Sequence, residues 1–279
     1  MTILPITEAI ARSCLAHIAA KPPPFVRCLY REDEHRKKPV PVGTGTLLAD
    51  AHHAYLLTAW HVFDPDQRLL GHGKALRVES GPGSSDVLDV TGVAAWPAKW
   101  KRELDVTLVR LDSSVASAVG FDNCLSFSEI DGANLTQVLP AMAISIGHPI
   151  SRNSKYSASS QQIRKSRQSY VSSLSVGPFG RDKLDAALHL KLSMPFDAKG
   201  ARDDQGKPIQ QMPSQKGVSG APVLRLLNPA AVAYMSRAPE WRLCGVLHTY
   251  EGTSLVGTWL TPLMPNFMDH FAAHDADSH

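Results

Sequence analysis

The octapeptide QKGVSGAP, residues 215–222, places Ser219 two residues after Gly217 and directly before Gly220. Glycine, serine and proline are the common turn formers, so one interpretation of this stretch is an ordinary surface turn. The other interpretation is a sharp turn that holds a nucleophilic serine hydroxyl clear of the backbone. The octapeptide alone leaves both open, because a serine needs a base before it can act as a nucleophile.

The length, composition and charge of the chain limit the classes of protein to which it can belong. The chain has 279 residues, a length typical of one large all-β domain or two packed barrels. Of these residues 43% are hydrophobic and 20% charged, which is typical of a soluble globular protein. The formal net charge of +3 is too small to indicate nucleic-acid binding. No Walker motif, GxGxxG or HExxH occurs, so we expect no cofactor and no metal.

Cysteine usage and the N-terminal stretch predict the compartment. The N-terminal apolar run is interrupted by Glu8 and Arg12, which is not typical of a secretory signal, and no stretch has the length of a membrane span. The cysteines are too scattered for a disulfide scaffold or a metal site: Cys14, Cys28, Cys124 and Cys244. We therefore predict a cytoplasmic protein with free thiols and no membrane partner.

Short β-like runs fill the chain between two helical ends. Residues 6–20 and 262–274 have apolar residues at helical spacing, and the runs between them are separated by Gly, Pro, Asp and Ser. Many short strands with turns between them predict a sandwich or a barrel. Residues 151–173 are rich in serine and basic residues and predict a long exposed loop.

One histidine and one aspartate are candidate partners of Ser219. His61 follows the apolar run AYLLTAW, where a side chain is held rigidly by a buried strand and still faces a cleft; the alternative is a core histidine bonded to backbone. Asp105 interrupts the apolar run of LDVTLVRL, where a carboxylate is costly unless an imidazole or another group satisfies it. The alternative is that the strand begins at Val106 and Asp105 is exposed.

Three segments together resemble the chymotrypsin-like (trypsin-like, double β-barrel) serine proteases. LLTAWH is similar to the family's LTAAH, LDVTLVRL to its DIALLRL, and GVSGAP to its GDSGGP. The chain order His61, Asp105, Ser219 is also the order of that family. Further segments, VLPAMAISIGHP, LCGVLHTY and GTWLTPLMPNFM, resemble strands of its second barrel. The resemblance covers roughly residues 25–270 and is to bacterial cytosolic members.

This resemblance implies an all-β fold of two packed six-stranded antiparallel barrels with an N-terminal and a C-terminal helix. The implied domains are a helical extension at 1–24, a first barrel at 25–115, a linker at 116–137 and a second barrel at 138–279. Ser219 would be the nucleophile, His61 the general base and acid, and Asp105 the orienting carboxylate. The amides of Gly217 and Ser219 would form the oxyanion hole.

The chain departs from the family pattern at two places. Secreted trypsins carry an aspartate directly before the serine, where this chain has Val218, so their zymogen switch is not available here. We expect either a constitutive oxyanion hole or an activating partner, with the Pro-rich stretch after the first helix and residues 151–173 as candidate regulatory elements. The family register also predicts the walls of a substrate pocket: Pro213, Ser214, Gln215, His248, Thr249, Tyr250, Gly257 and Trp259.

His248 has two interpretations, because related proteases use a histidine one position away to bind an acidic or Gln side chain. A shift of one residue in a strand turns a side chain to the other face, so His248 either contacts substrate or lies near Asp105.

Three functions are compatible with these sequence features. The leading prediction is a regulated intracellular serine endopeptidase with a protein or peptide substrate, of the kind that includes bacterial anti-phage effectors. The alternative is a catalytically silent module that binds a peptide along its cleft. The third is nucleic-acid binding through basic residues of the 151–173 segment: Arg152, Lys155, Arg164, Lys165 and Arg167. Apart from Tyr156 and Tyr170 no aromatic residue accompanies these charges, which favours a solvated loop instead.

Overall fold

The structure, a computed structural model, describes residues 4–32, 39–63, 76–81, 84, 86–90, 92–96, 104–134, 139, 141–149, 156–157, 162–163, 167–177, 179, 187–193, 217–234, 236–251 and 254–276. Pro213, Ser214 and Gln215 of the predicted pocket lie outside these residues, as does most of the predicted loop 151–173.

The first half of the chain forms an eight-stranded sheet. The strand order is β5-β4-β1-β2-β3-β7-β6, and β8 pairs in parallel with β2. The central strands β3 and β7 are buried at every position, because their alternating side chains enter two different cores. Leu56 and Val109 lie in the core of the first half, whereas Leu57 and Leu108 lie in the core between the halves. The strands are β1 Val26–Glu32, β2 Pro39–Ala49, β3 Ala54–Thr58, β4 Arg77–Glu79, β5 Val87–Asp89, β6 Gly92–Trp96, β7 Thr107–Leu111 and β8 Leu125–Ser126.

The second half is a closed six-stranded antiparallel barrel in the order β12-β13-β16-β15-β14-β9. A small hairpin, β10 with β11, lies between barrel strands β9 and β12 along the chain. The all-β class with terminal helices is confirmed. The two closed barrels of the prediction become one closed barrel and one open sheet, since β5 and β6 are not paired with each other in the described part of the first half. The strands are β9 Ala141–Gly147, β10 Tyr156–Ser157, β11 Gln162–Ile163, β12 Gln168–Ser175, β13 His189–Ser193, β14 Pro222–Leu226, β15 Trp241–Glu251 and β16 Ser254–Trp259.

Two segments predicted to be irregular contain regular structure. The predicted loop 151–173 is wrong over residues 168–173, which belong to barrel strand β12. Tyr170 and Leu174 of that strand point into the barrel core, but the serines between them hide the alternation in the sequence. The predicted linker 116–137 includes the end of a helix and strand β8. The side chain of Asp112 caps that helix by accepting the Val115 N–H at 2.9 Å.

The helices lie at the ends of the chain and in connections between strands. The first helix buries Ile10 and Cys14, one turn apart, against Leu226 and Val232 on the outside of the barrel. None of the helices within the described residues is long and apolar enough to cross a membrane. The helices are α1 Leu4–Ala20, α2 Trp60–Phe63, α3 Ser113–Val119, α4 Pro229–Ala233 and α5 Met264–Ala276.

A buried ion pair fixes the segment between the halves to the barrel. Arg225 of β14 binds both carboxylate oxygens of Asp131, and its Nη2 lies 3.0 Å from Oδ1. The Asp131 N–H donates to the carbonyl of Leu243 at 2.8 Å, and the Thr261 hydroxyl donates to the Asp131 carbonyl. The side chains of Arg225 and Asp131 are only 14% and 4% exposed, so each charge depends on the other for its solvation.

We expect Asp131→Ala to lower the free energy of unfolding by about 3 kcal/mol, because it leaves the Arg225 guanidinium largely buried without its carboxylate. Equilibrium urea unfolding measures this loss. Asp89→Ala is the matched control, since Asp89 forms an ion pair with Arg77 and the Asp89 side chain is about half exposed to solvent. In the control, the free energy of unfolding should fall by less than about 1 kcal/mol. Equal losses in the two variants would contradict the role given to Asp131.

Candidate active site

His61 lies in a one-turn helix that directly follows the fully buried strand β3. Its side chain is 49% exposed, and its Nδ1 lies 2.7 Å from Oδ2 of Asp105. The His61 N–H donates to Oδ1 of the same carboxylate at 2.9 Å, and the Trp60 N–H donates to the Asp105 carbonyl at 3.1 Å. A carboxylate can only accept, so Nδ1 carries a proton, and in the neutral imidazole Nε2 then keeps the lone pair that a general base needs.

Asp105 has a left-handed backbone with φ of 45°, which no other non-glycine residue of the described ranges shares. Aspartate is one of the few residues that tolerate this conformation. The prediction that Asp105 interrupts a strand is wrong, because β7 begins at Thr107 and Asp105 lies in the turn before it. Its side chain is nevertheless only 21% exposed, and its contacts to the His61 segment hold the strained turn in place.

The Ser219 loop, residues 217–221, depends on its glycines. Gly217 and Gly220 both have positive φ, 93° and 88°. A Cβ on Gly220 would lie 1.9 Å from the Thr44 carbonyl oxygen and 2.2 Å from the Thr58 hydroxyl, so only glycine fits there. The turn therefore holds Ser219 against strand β2 of the first half. This close approach explains Gly220, and the positive φ explains Gly217.

The structure brings His61, Asp105 and Ser219 to the same boundary between the halves. A Cβ on Gly43 would touch both Val62, the neighbour of His61, at 2.6 Å and the Ser219 carbonyl oxygen at 3.1 Å. Ser219 is half-buried, and its hydroxyl donates to the His248 carbonyl at 3.2 Å. Among the hydrogen bonds of the described residues, none joins Ser219 to His61.

His248 lies at a β-bulge of β15, between Leu247 and Thr249. Its ring is 4% exposed, and its Nδ1 lies 3.9 Å from Oδ2 of Asp105. The ring of His189 from β13 packs edge-on against it, with the centroids 5.7 Å apart. A bulge changes the direction of the side chain relative to a regular strand, and here it turns the imidazole toward Asp105. Two imidazoles thus lie beside one carboxylate oxygen.

The remaining predicted pocket residues are more dispersed. Thr249 is half-buried beside the bulge, and only the backbone of Tyr250 is described. Gly257 lies inside the barrel, where a Cβ would meet the Val246 carbonyl oxygen at 2.5 Å. Trp259 is 7% exposed in the barrel core, and its indole N–H donates to the Thr261 hydroxyl at 2.9 Å. The structure therefore places the Trp259 side chain in the barrel core.

Thr44, Thr58 and His189 belong to the site but were not among the predicted site residues. Thr44 lies between Gly43 and Gly45 on β2, and glycines inside a strand mark a close approach of another backbone. That signal was present in the sequence, although it does not say which backbone approaches. His189 carries no such signal, because its neighbours in the chain resemble those of any buried strand.

A cysteine nucleophile and a metal centre have no support in the described residues. All four cysteines are described and none is in a disulfide. Burial raises the pKa of the Cys14 thiol to about 12 and that of Cys124 to about 11, and it raises the pKa of Cys244 as well. A raised pKa keeps a thiol protonated and unreactive. No group of three or more His, Cys, Asp or Glu in the described ranges could hold a metal ion.

The candidate site lies between the two β halves of the fold, the open sheet and the closed barrel. No protein-family model and no curated protein matches the chain. Among solved structures, this protein is similar to a chain from a study of aromatic interactions in the coupled folding and binding of the Sesbania mosaic virus VPg protein. The two chains share 15% identity with a TM-score of 0.44, and the similarity covers 85% of this chain and 87% of that one. It is also similar to a serine protease of a human pathogenic astrovirus, with 12% identity, a TM-score of 0.42, and coverage of 85% and 90%.

We expect Gly220→Ala to lower the free energy of unfolding by at least about 2 kcal/mol, because the new Cβ would meet backbone while the residue is held at positive φ. Thermal or urea unfolding measures the loss. Gly132→Ala is the control, since a Cβ there meets nothing within 4 Å. A Gly220→Ala protein as stable as the control would contradict the close approach of the Ser219 loop to β2.

Proposed function

We propose that the chain is a serine endopeptidase that hydrolyses peptide bonds of a protein substrate through Ser219, His61 and Asp105. The observation that carries this proposal is the two-point binding of His61 by Asp105, with 2.7 Å at the ring and 2.9 Å at the backbone. That arrangement leaves Nε2 of His61 as a proton acceptor, at the boundary where a glycine-flanked serine is held. Asp105 makes this contact from a strained backbone with φ of 45°, and strain of this kind is concentrated at functional sites.

The proposed reaction proceeds through an acyl-enzyme. Nε2 of His61 takes the proton of the Ser219 hydroxyl while its oxygen attacks the scissile carbonyl carbon. His61 then gives that proton to the departing amine, so the peptide C–N bond breaks and an ester to Ser219 remains. A water molecule hydrolyses the ester by the same steps in reverse. Asp105 stabilises the imidazolium in both halves of the reaction, and no redox partner or metal is needed.

The proposed oxyanion hole consists of the amides of Gly217 and Ser219. The Val218 carbonyl accepts the Ala221 N–H at 2.9 Å. In a trans peptide the carbonyl and the following N–H point in opposite directions, so this bond directs the Ser219 N–H away from Ala221. The backbone contact sets this orientation without the aspartate that secreted trypsins carry at the position of Val218.

A catalytically silent peptide-binding module is the second candidate. The bond from the Ser219 hydroxyl to the His248 carbonyl favours it, because that hydroxyl is then turned away from the proposed base. The trypsin-like subclass, a cytoplasmic and bacterial setting, an activating partner and a role as a regulated defence effector remain proposals that rest on the motif resemblance.

We expect a fluorophosphonate probe to label the purified full chain, and Ser219→Ala to abolish the labelling, because the phosphorus is attacked only by an activated serine. His61→Ala should lower the labelling rate by at least about 10²-fold through loss of the general base. Ser236→Ala, at an exposed serine that bonds to the Ala231 carbonyl, is the matched control and should label like the unchanged protein. Absence of labelling in a folded protein would favour the binding module.

The placement of His248 leads to a prediction about specificity. Because its ring is 4% exposed and lies beside Asp105, it is not available to bind a substrate side chain. We expect His248→Leu to leave the order of preferred residues before the cleaved bond unchanged in a peptide library, while the cleavage rate falls. A selective loss of Glu or Gln at that position would show that His248 contacts substrate instead.

A further inference from the structure

We propose that Thr44 is a positioning residue of this site, and that its hydroxyl holds the Ser219 loop in the shape that the proposed reaction needs. The catalytic part of this inference rests on the proposed function. Its structural part, that one hydroxyl orders the loop, stands on contacts that are independent of catalysis.

Thr44 contacts the Ser219 loop with both its backbone and its side chain. Its N–H donates to the Ser219 carbonyl at 2.9 Å, and its hydroxyl donates to the Gly217 carbonyl at 2.9 Å. Thr44 is fully buried, so these bonds form away from water, where an unmade hydrogen bond is costly. A residue of the first half thus binds two carbonyls of the loop that carries the nucleophile in the second half.

The two carbonyls that Thr44 binds lie on either side of the peptide between Val218 and Ser219. The bond between Val218 and Ser219 carries the Ser219 N–H, which is a donor of the proposed oxyanion hole. Thr44 holds the peptide before it through the Gly217 carbonyl and the peptide after it through the Ser219 carbonyl. With both neighbours held, the Val218–Ser219 peptide has little freedom to rotate, because each peptide is planar and only two torsions separate it from the next.

The Thr44 hydroxyl also joins a third segment. It accepts the His148 N–H at 2.9 Å, directly after barrel strand β9. A hydroxyl can donate one hydrogen bond while it accepts others, which suits this bridge between a carbonyl and an N–H. On the other side of Thr44, its carbonyl accepts the Thr58 hydroxyl at 2.8 Å. Strands β2 and β3, the Ser219 loop and the end of β9 therefore meet at one residue.

The same strand offers a matched comparison. Thr46 lies two residues further along β2, so its side chain is on the same face of the strand, and it is also fully buried. Its hydroxyl has no hydrogen-bond partner among the described residues. Thr→Val is isosteric at both positions, but only at Thr44 does it remove bonds to the Ser219 loop and to His148.

The test compares amide hydrogen exchange of the full chain with Thr44→Val, Thr44→Ser and Thr46→Val. Gly220 and Ala221 report on the loop, because their amides donate to the Leu247 and Val218 carbonyls at 2.7 and 2.9 Å. We expect Thr44→Val to speed exchange of these amides by about tenfold, which corresponds to the loss of about one buried hydrogen bond. Thr44→Ser keeps the hydroxyl and should restore slow exchange, and Thr46→Val should leave it unchanged.

Fluorophosphonate labelling of the same proteins gives the functional readout. We expect Thr44→Val to label at least about tenfold more slowly than Thr46→Val and Thr44→Ser to recover most of the rate, since the loop must be ordered for attack. Should Thr44→Val fail to fold, Thr44→Ala removes the hydroxyl without added bulk and replaces it in both measurements.

The outcomes distinguish the structural part of this proposal from its catalytic part. Exchange that is unchanged in Thr44→Val, or raised equally in Thr46→Val, would overturn the positioning role of Thr44. A loosened loop with an unchanged labelling rate would overturn its importance for the reaction. If the unchanged protein is not labelled, the proposed function fails, while the exchange comparison still decides whether Thr44 orders the Ser219 loop.

Discussion

The close contact between the Ser219 loop and strand β2 is the constraint on which the rest of the site depends. It requires glycine at 220, because any side chain there would overlap the Thr44 carbonyl. Through the Thr44 N–H and hydroxyl, it also sets the distance between a serine in the second half and a histidine turn in the first. Neither half alone could bring His61 and Ser219 together, because His61 lies in the first half and Ser219 in the second.

Asp105 is the second point at which the two halves meet. Its carboxylate binds the backbone and ring of His61 on one side, and the His248 ring from the barrel lies near it on the other. The hydroxyl of Thr258, a barrel residue, donates to the carbonyl of the adjacent Leu104. A strained φ of 45° is maintained because these contacts act together. His248 links this point to the Ser219 loop, since its carbonyl accepts the Ser219 hydroxyl.

Much of the fold could be predicted from local patterns. Helix α1 and the C-terminal helix follow from their apolar residues and the prolines near their ends, and the buried strand before His61 follows from its short apolar run. Strand β12 could not be recognised, because its serines mask the alternation of Tyr170 and Leu174. The turn at Asp105 was also missed, since an apolar run looks continuous in sequence whether its aspartate begins the strand or precedes it.

By itself the sequence determined the residue types that such chemistry needs, their order along the chain, and the glycines that permit a sharp turn. It did not determine which way His248 faces or which backbone approaches Gly220. A β-bulge sets the first, and the packing of two β halves that are distant in sequence sets the second. The physical reason is that strand periodicity specifies one face of a strand, whereas a contact between halves depends on the register and bulges of both.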